Sequence, residues 1–272
     1  MKDPEWIEPQ PIIVPDFIDS HFRDQSLLAE VLTRKGFTSI EQINKYLFLN
    51  KYIPANPFEF EDMLIAVEII LDAVKKQKTF GVWGDFDVDG ISSTTILVQV
   101  LREACKAKVF FYIPNRERES HGIKRDSAFD FIQKNKIEIL ITCDTGIEEI
   151  EALEAINQLG VKTIITDHHM LPRILPKADA IINPHLLPES HACASLSGAG
   201  TAYMLARAIS EKLQTDSIVY SDLAMLGTIA DVVDLNGENR FIVQLGLNRF
   251  NSNPRPAWQS IRKQLNRENI DL

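Results

Sequence analysis

The sequence predicts an α/β protein: an open, mainly parallel β-sheet flanked by helices, with a small helical appendage at its N-terminus. Three observations carry this reading. From residue 58 onward, short apolar runs of strand-forming residues alternate with longer amphipathic segments, the pattern of βαβ units. Three of the runs end directly in a cluster of acidic or histidine side chains, in GDFDVDG, ITCDTGI and ITDHHMLP. Ligands of open parallel sheets bind in the crevice at the carboxyl ends of the strands, so residues placed there mark a site. The first 56 residues lack this alternation and are broken by prolines.

The elements follow in chain order. Residues 1–56 form the expected appendage: Pro4, Pro9, Pro11 and Pro15 interrupt its start, residues 26–34 and 40–48 read as two short helices around Gly36, and Pro54 and Pro57 mark its end. Residues 57–250 form the expected main domain. Met63, Leu64, Val67, Ile70, Leu71 and Val74 recur at helical spacing within 58–77. Residues 79–83 form a strand running into the first cluster, 91–104 a helix, 108–113 a strand and 127–134 a helix. Residues 137–143 form a strand ending at Asp144, 147–159 a helix, 161–166 a strand ending at Asp167, and 178–182 a further short strand. Beyond Ser197 the chain turns helical over 200–212, 218–229 and 240–248. The polar stretch 251–272, with Pro254 and Pro256, reads as a linker toward an accessory domain that the chain does not contain.

Composition narrows the function classes. With 272 residues, 45% hydrophobic and 25% charged, the chain has the profile of an ordinary globular protein. No apolar run approaches the roughly 20 residues that cross a bilayer, and the polar N-terminus is unlike a signal peptide. Cys105, Cys143 and Cys193 have no disulfide or zinc spacing. The expectation is a reduced, cytoplasmic chain with no membrane role. The net charge of −9 argues against a broad nucleic-acid surface. Six of the acids, however, lie in the clusters, where divalent cations would offset them. Arg116 and Arg118, followed by Lys124 and Arg125, offer a local basic patch; a solvated loop is the plainer reading of that stretch.

The clusters suit hard cations. Asp85, Asp87 and Asp89 alternate with Phe86 and Val88, and an extended backbone would point all three carboxylates one way. Gly90 permits a tight turn into the next helix, with Ser92, Ser93 and Thr94 available as caps. A capped, solvated turn or a Ca²⁺ loop is the alternative, although the twelfth position from Asp85 is Ile96 where an EF-hand needs Glu. Asp144 alone could be an ordinary helix cap. Asp167-His168-His169 is the most specific cluster: one histidine could bind metal while the other faces a phosphate. Asp231, in GTIADVV, is unremarkable by itself. His121 could meet a phosphate and His185 could line the cleft. Carboxylates mixed with imidazole favour Mn²⁺, Mg²⁺, Zn²⁺ or Fe²⁺, and this many ligands suggest two ions sharing a carboxylate.

Taken in order, GDFDVDG, CDTGI, TDHH and GTIADVVDL resemble the DHH phosphoesterase superfamily, closest to its bacterial branch of single-strand-specific 5′-to-3′ DNA exonucleases. IPNRERESHGI resembles the family's PNR loop, except that His121-Gly122 stands where a Tyr-Gly pair is usual. SLSGAGTAYMLARAI, IINPH and GENRFIVQLGL also fit. The resemblance implies that Asp87 binds a first metal, that Asp89, His168 and Asp231 bind a second, and that Asp144 bridges them. Many members carry a His where Trp83 stands, which makes Asp85 the substitute ligand. It also implies that His169 contacts the scissile phosphate, that Asp167 orients a histidine, and that the ions are Mn²⁺ or Mg²⁺. Arg116, Arg118, His121, Ser197, Gly198 and Gly200 are the expected substrate contacts, the glycine-rich turn by offering backbone N–H groups to an anion. The implied activity is metal-dependent exonuclease hydrolysis of single-stranded DNA in repair and recombination, by a monomer that could meet a single-strand-binding protein. The other readings are a DHH phosphoesterase acting on short oligonucleotides, cyclic dinucleotides or pyrophosphate, and a non-catalytic scaffold. Members of the exonuclease branch normally continue into an accessory domain with a Gly-Gly-His motif and into an OB-fold, and no Gly-Gly-His occurs here.

Overall fold

Five apolar runs pair into one parallel sheet in the computed structural model, which describes residues 7–266. The strands are β1 (Thr79–Gly84), β2 (Lys108–Tyr112), β3 (Ile139–Cys143), β4 (Lys162–Thr166) and β5 (Ala180–Ile182), in the order β2-β1-β3-β4-β5. All four pairings are parallel, with Trp83 opposite Thr142 and Cys143 opposite Thr166. The strand ends that carry the clusters therefore finish side by side.

The chain divides into two compact units, residues 1–53 and 54–272. The first contains α1 (Asp16–Asp19), α2 (Ser26–Arg34) and α3 (Ile40–Leu47) around Ile18, Ala29, Leu32 and Ile43. Ser39 caps α3 by accepting from the Gln42 N–H at 3.2 Å.

In the second unit, α4 (Met63–Lys75), α5 (Val88–Gln99), α6 (Arg125–Asn135), α7 (Ile150–Gln158) and α8 (Gly198–Leu213) flank the sheet, while α9 (Ser221–Ala230) packs on α5 and α8, with α10 (Gly237–Ser252) and α11 (Pro256–Leu265) against α9. Strand alternation sorts the apolar side chains into two cores. Phe80, Val82, Ile139, Ile141 and Ile164 pack with α4, α5 and α8. Trp83, Leu140 and Ile165 pack on the opposite face with α6 and α7. Both faces are covered, as a parallel sheet requires. Burial at about 2 kcal/mol per large side chain, more than local propensity, holds these short strands.

Several sequence expectations shift. The DFDVD segment does not stay extended: the helix expected from residue 91 begins at Val88 and ends in a π-turn, Val100–Ala104. Its cap is Asp87, which accepts from the Gly90 N–H at 2.8 Å. Ser93 and Thr94 instead bond back to the carbonyls of Asp89 and Gly90. The helix expected from 147 starts at Ile150, so Asp144 is not its cap. Residues 251–266, expected as linker, are largely helical. Buried Asp222 accepts from Arg255 Nε at 2.6 Å and from Trp258 Nε1 at 2.8 Å, anchoring the start of α11. Pro4 and the end of the expected linker, 267–272, lie outside the described residues. Among the described residues no helix is long and apolar enough to cross a membrane.

Candidate metal centre

The sheet order reverses direction between β1 and β3, because β1 connects to β2 on one side and the chain then returns to lay β3 on the other. Such a switch point opens a crevice at the carboxyl ends of the two strands. Asp85 and Asp87 follow β1, Asp144 follows β3, and Asp167 to His169 follow β4. Asp231, at the C-terminus of α9, completes the group.

These residues meet in overlapping sets whose ligand atoms lie within 4.8 Å of one another: Asp85, Asp87 and Asp144; Asp89, His168 and Asp231; and Asp144, His168 and His169. Asp89 is gripped hardest. It sits in the first turn of α5, 2% exposed, and accepts from the Gly198 N–H at 2.7 Å and the Ala199 N–H at 2.9 Å. Those amides open α8, so a helix N-terminus faces this carboxylate. Asp144 adopts φ +60°, and a Cβ at Gly198 would collide with its Oδ1. Only glycine lets α8 approach so closely. His168 Nε2 lies 3.1 Å from Asp144 Oδ1 and its Nδ1 3.6 Å from Asp231 Oδ2. The first approach lacks hydrogen-bond alignment, and Asp144 Oδ1 is buried without a hydrogen-bond partner.

Asp167 does not join these sets; it builds the loop. Its Oδ1 accepts from the His168 and His169 N–H groups at 2.7 and 3.1 Å and meets His169 Nδ1 at 2.7 Å. Its Oδ2 accepts from the Ile147 N–H at 2.9 Å. Asn183, which sequence reasoning passed over, donates to the His169 carbonyl at 3.0 Å and is fully buried. Trp83 faces away, stacked on Tyr112 with ring centroids 4.2 Å apart. Trp83, within β1, lies in the α6/α7 core, whereas Asp85, just past the strand's end, lies in the crevice.

The electrostatics call for cations. Two carboxylates within 4.8 Å of each other repel by about 3.5 kcal/mol or more at an effective dielectric near 20. Burial, with the charge of Asp89 adding, pushes Asp144 up to about 8. Burial pushes Asp89 up to about 6 despite the Ala199 and Gly198 amides. Burial also raises Asp231. His168 is pulled down by burial, but the carboxylates of Asp144, Asp89 and Asp231 outweigh it and the net shift is up. His169 is raised to about 9 by its bond to Asp167, so its ring is cationic at neutral pH. Asp167 is pushed up by burial, but its bonds to His169 outweigh that and hold it low. An orphaned carboxylate oxygen and a donor set of oxygens with one imidazole fit Mn²⁺ or Mg²⁺.

The expected substrate contacts divide. Arg116, Arg118 and His121 stand exposed on the loop between β2 and α6; of the three, His121 lines the crevice and Arg116 lies over the Phe86 ring. Ser197, Gly198 and Gly200 do not offer themselves to a phosphate: all three are buried, and the anion at the α8 N-terminus is the protein's own Asp89. Gly200 N–H is taken by Ser197 Oγ at 3.0 Å. The motif revealed an anion-binding turn without revealing which anion fills it. The crevice is also lined by residues 145–149, of which the sequence had drawn attention only to the preceding Asp144.

Fold and site together define a doubly wound α/β protein with a candidate two-ion centre at its switch point. The model of the DHH family, N-terminal domain, matches residues 79–228, and the chain belongs to that family. It is 36% identical over 224 residues to the single-stranded-DNA-specific exonuclease RecJ of Bacillus subtilis, covering 82% of this chain and 28% of that protein. Among solved structures it is similar to exonuclease RecJ bound to manganese, with TM-score 0.71, 30% identity, and 78% of this chain and 54% of that chain covered. It is similar also to RecJ in complex with Mn²⁺ from Thermus thermophilus, with TM-score 0.76, 26% identity, and 92% and 35% covered. The chain thus spans about a third of the length of the curated relatives it matches.

Proposed function

We propose that this chain carries the catalytic domain of a metal-dependent phosphodiesterase that acts as a 5′-to-3′ exonuclease on single-stranded DNA, in repair and recombination. The observation that supports this most is the pair of ligand sets sharing one crevice, Asp85/Asp87/Asp144 and Asp89/His168/Asp231. The names of its relatives, single-stranded-DNA-specific exonucleases, supply the substrate class. In this reading residues 1–56 are an appendage and 57–250 the catalytic domain. The enzyme is cytoplasmic and monomeric and can meet a single-strand-binding protein.

Each side chain then has a task. Asp85, Asp87 and Asp144 would hold one Mn²⁺ or Mg²⁺, and Asp89, His168 and Asp231 a second, with Asp144 reaching both. Bound there, the ions would lower the pKa of an attacking water and offset charge on the phosphoryl oxygens. His169, cationic and held by Asp167, donates to the scissile phosphate. Asp167 keeps that imidazole in place through a bond to its Nδ1. Arg116 and Arg118 attract the phosphate backbone locally, where the net charge of the chain does not.

The test is release of nucleotides from a labelled single-stranded oligonucleotide with Mn²⁺, comparing the chain with Asp144→Ala. Release that vanishes in the variant is expected. Equal release by both would overturn the role of Asp144 in a two-ion centre, and release from cyclic dinucleotides or pyrophosphate but not DNA would overturn the substrate reading. No hydrolysis and no Mn²⁺ binding would favour the scaffold, whereas Mn²⁺ binding without hydrolysis would mark an incomplete catalytic fragment.

A further inference from the structure

The loop between β2 and α6 is built rather than loose, and it touches the first ligand set at one point. Glu119 fixes it from within: its carboxylate accepts from Tyr112 Oη at 2.8 Å, from the Asn115 N–H at 2.9 Å, and from Ser127 Oγ. Two residues on, His121 Nδ1 stands 2.6 Å from Asp85 Oδ2. The His121 ring packs on Phe86 with centroids 4.2 Å apart, and the Arg116 guanidinium lies 5.4 Å from the same Phe86 ring. Gly122 turns the chain away at φ +88°, a conformation that side-chain-bearing residues adopt only with strain. The loop therefore reaches Asp85 from a fixed position. Asp85 is 4% exposed, and its other oxygen takes the Phe86 N–H at 2.7 Å.

We propose that His121 is a positioning residue, a latch that sets the Asp85 carboxylate toward the first metal position and ties the arginine-bearing loop to that position. The inference rests on the two-ion reading above. His121 reaches the ion only through Asp85, as partners beyond the ligands commonly do. The latch has a second consequence. Holding Asp85 also holds Phe86 and, across it, Arg116, so metal binding and ordering of the phosphate-facing loop become one event.

The experiment uses the whole chain with Mn²⁺ alone. Calorimetry of wild type, His121→Phe and His121→Asn is paired with amide exchange across residues 115–122. Phenylalanine keeps the ring against Phe86 but donates nothing; asparagine can place a donor near the Nδ1 position. His121→Phe is expected to weaken one Mn²⁺ site by about 10-fold and to abolish the slowing of loop exchange that Mn²⁺ causes in wild type. The other site, held by Asp89, His168 and Asp231, should keep its affinity and so report an intact fold. His121→Asn should recover most of both losses. Unchanged Mn²⁺ affinity in His121→Phe, or equal weakening of both sites, would overturn the latch. No Mn²⁺ binding by wild type would overturn the two-ion reading and the latch with it.

Discussion

The two ligand sets are built differently. Asp89 is locked by two amides of the α8 N-terminus, and His168 is mostly enclosed, so the second set is in place before any ion arrives. The first set is held less evenly: Asp85 and Asp144 are buried, with Asp85 met by a loop histidine, but Asp87 is exposed and already caps a helix. Rigid donors bind tightly, because little ordering remains to be done when the ion arrives. Looser donors exchange their ion more readily. On the two-ion proposal, one centre would contain a better prepared position and a more adaptable one, with Asp144 beside both.

The largest perturbation should come from the shared residue. Asp144→Asn removes charge from the first set and from beside His168 of the second, with little change in volume, and on the proposed function should cut hydrolysis by roughly 1000-fold or more, measured by single-turnover kinetics with Mn²⁺ in excess. Residual activity within about ten-fold of wild type would separate the sets. Gly198→Ala attacks the same junction sterically. Its Cβ would press on Asp144 Oδ1, and a loss of about 1–3 kcal/mol in unfolding free energy is expected along with weaker Mn²⁺ binding.

Smaller changes should distinguish the sets. Asp89→Asn should remove the tighter of two Mn²⁺ sites in calorimetry, and Asp87→Ala the weaker one. The latter also deletes a helix cap and should cost about 1 kcal/mol in a denaturant titration. If both variants lost the same site, the division drawn here would be wrong.

The pH dependence gives the mildest test. Asp144 and Asp89 are raised to about 8 and about 6, and His169 to about 9, so the metal-free native state holds more protons than the unfolded chain. The two raised carboxylates contribute stability below their unfolded values near 4, and the raised histidine below its own near 6.5. That stability is lost as pH climbs through the folded values. Metal-free Tm should therefore fall between about pH 6 and 9, while added Mn²⁺, which needs the deprotonated carboxylates, should stabilise more as pH rises. A metal-free Tm that rose over this window would contradict the buried, uncompensated carboxylates.

Much of this was legible in the residues. Strand and helix alternation gave the parallel sheet, and the clusters at Asp144 and Asp167 fell at strand ends as expected because the apolar, strand-forming runs stop where the charged residues begin. Strand order was not legible, since βαβ units read alike whichever side they are laid on. The start of α5 was misplaced because DFDVD alternates like a strand, although Asp87 is an equally good cap. The grip on Asp89 by the Gly198 and Ala199 amides joins residues about 110 positions apart, and no local pattern encodes it. Helix α11 was hidden by its polar surface; its anchor is Asp222, far upstream.

The most direct measurement is anomalous diffraction from crystals soaked in Mn²⁺. Two peaks are predicted, one against Asp85, Asp87 and Asp144 and one against Asp89, His168 and Asp231, with Asp144 in contact with both. A single peak, or two that leave Asp144 untouched, would contradict a shared two-ion centre.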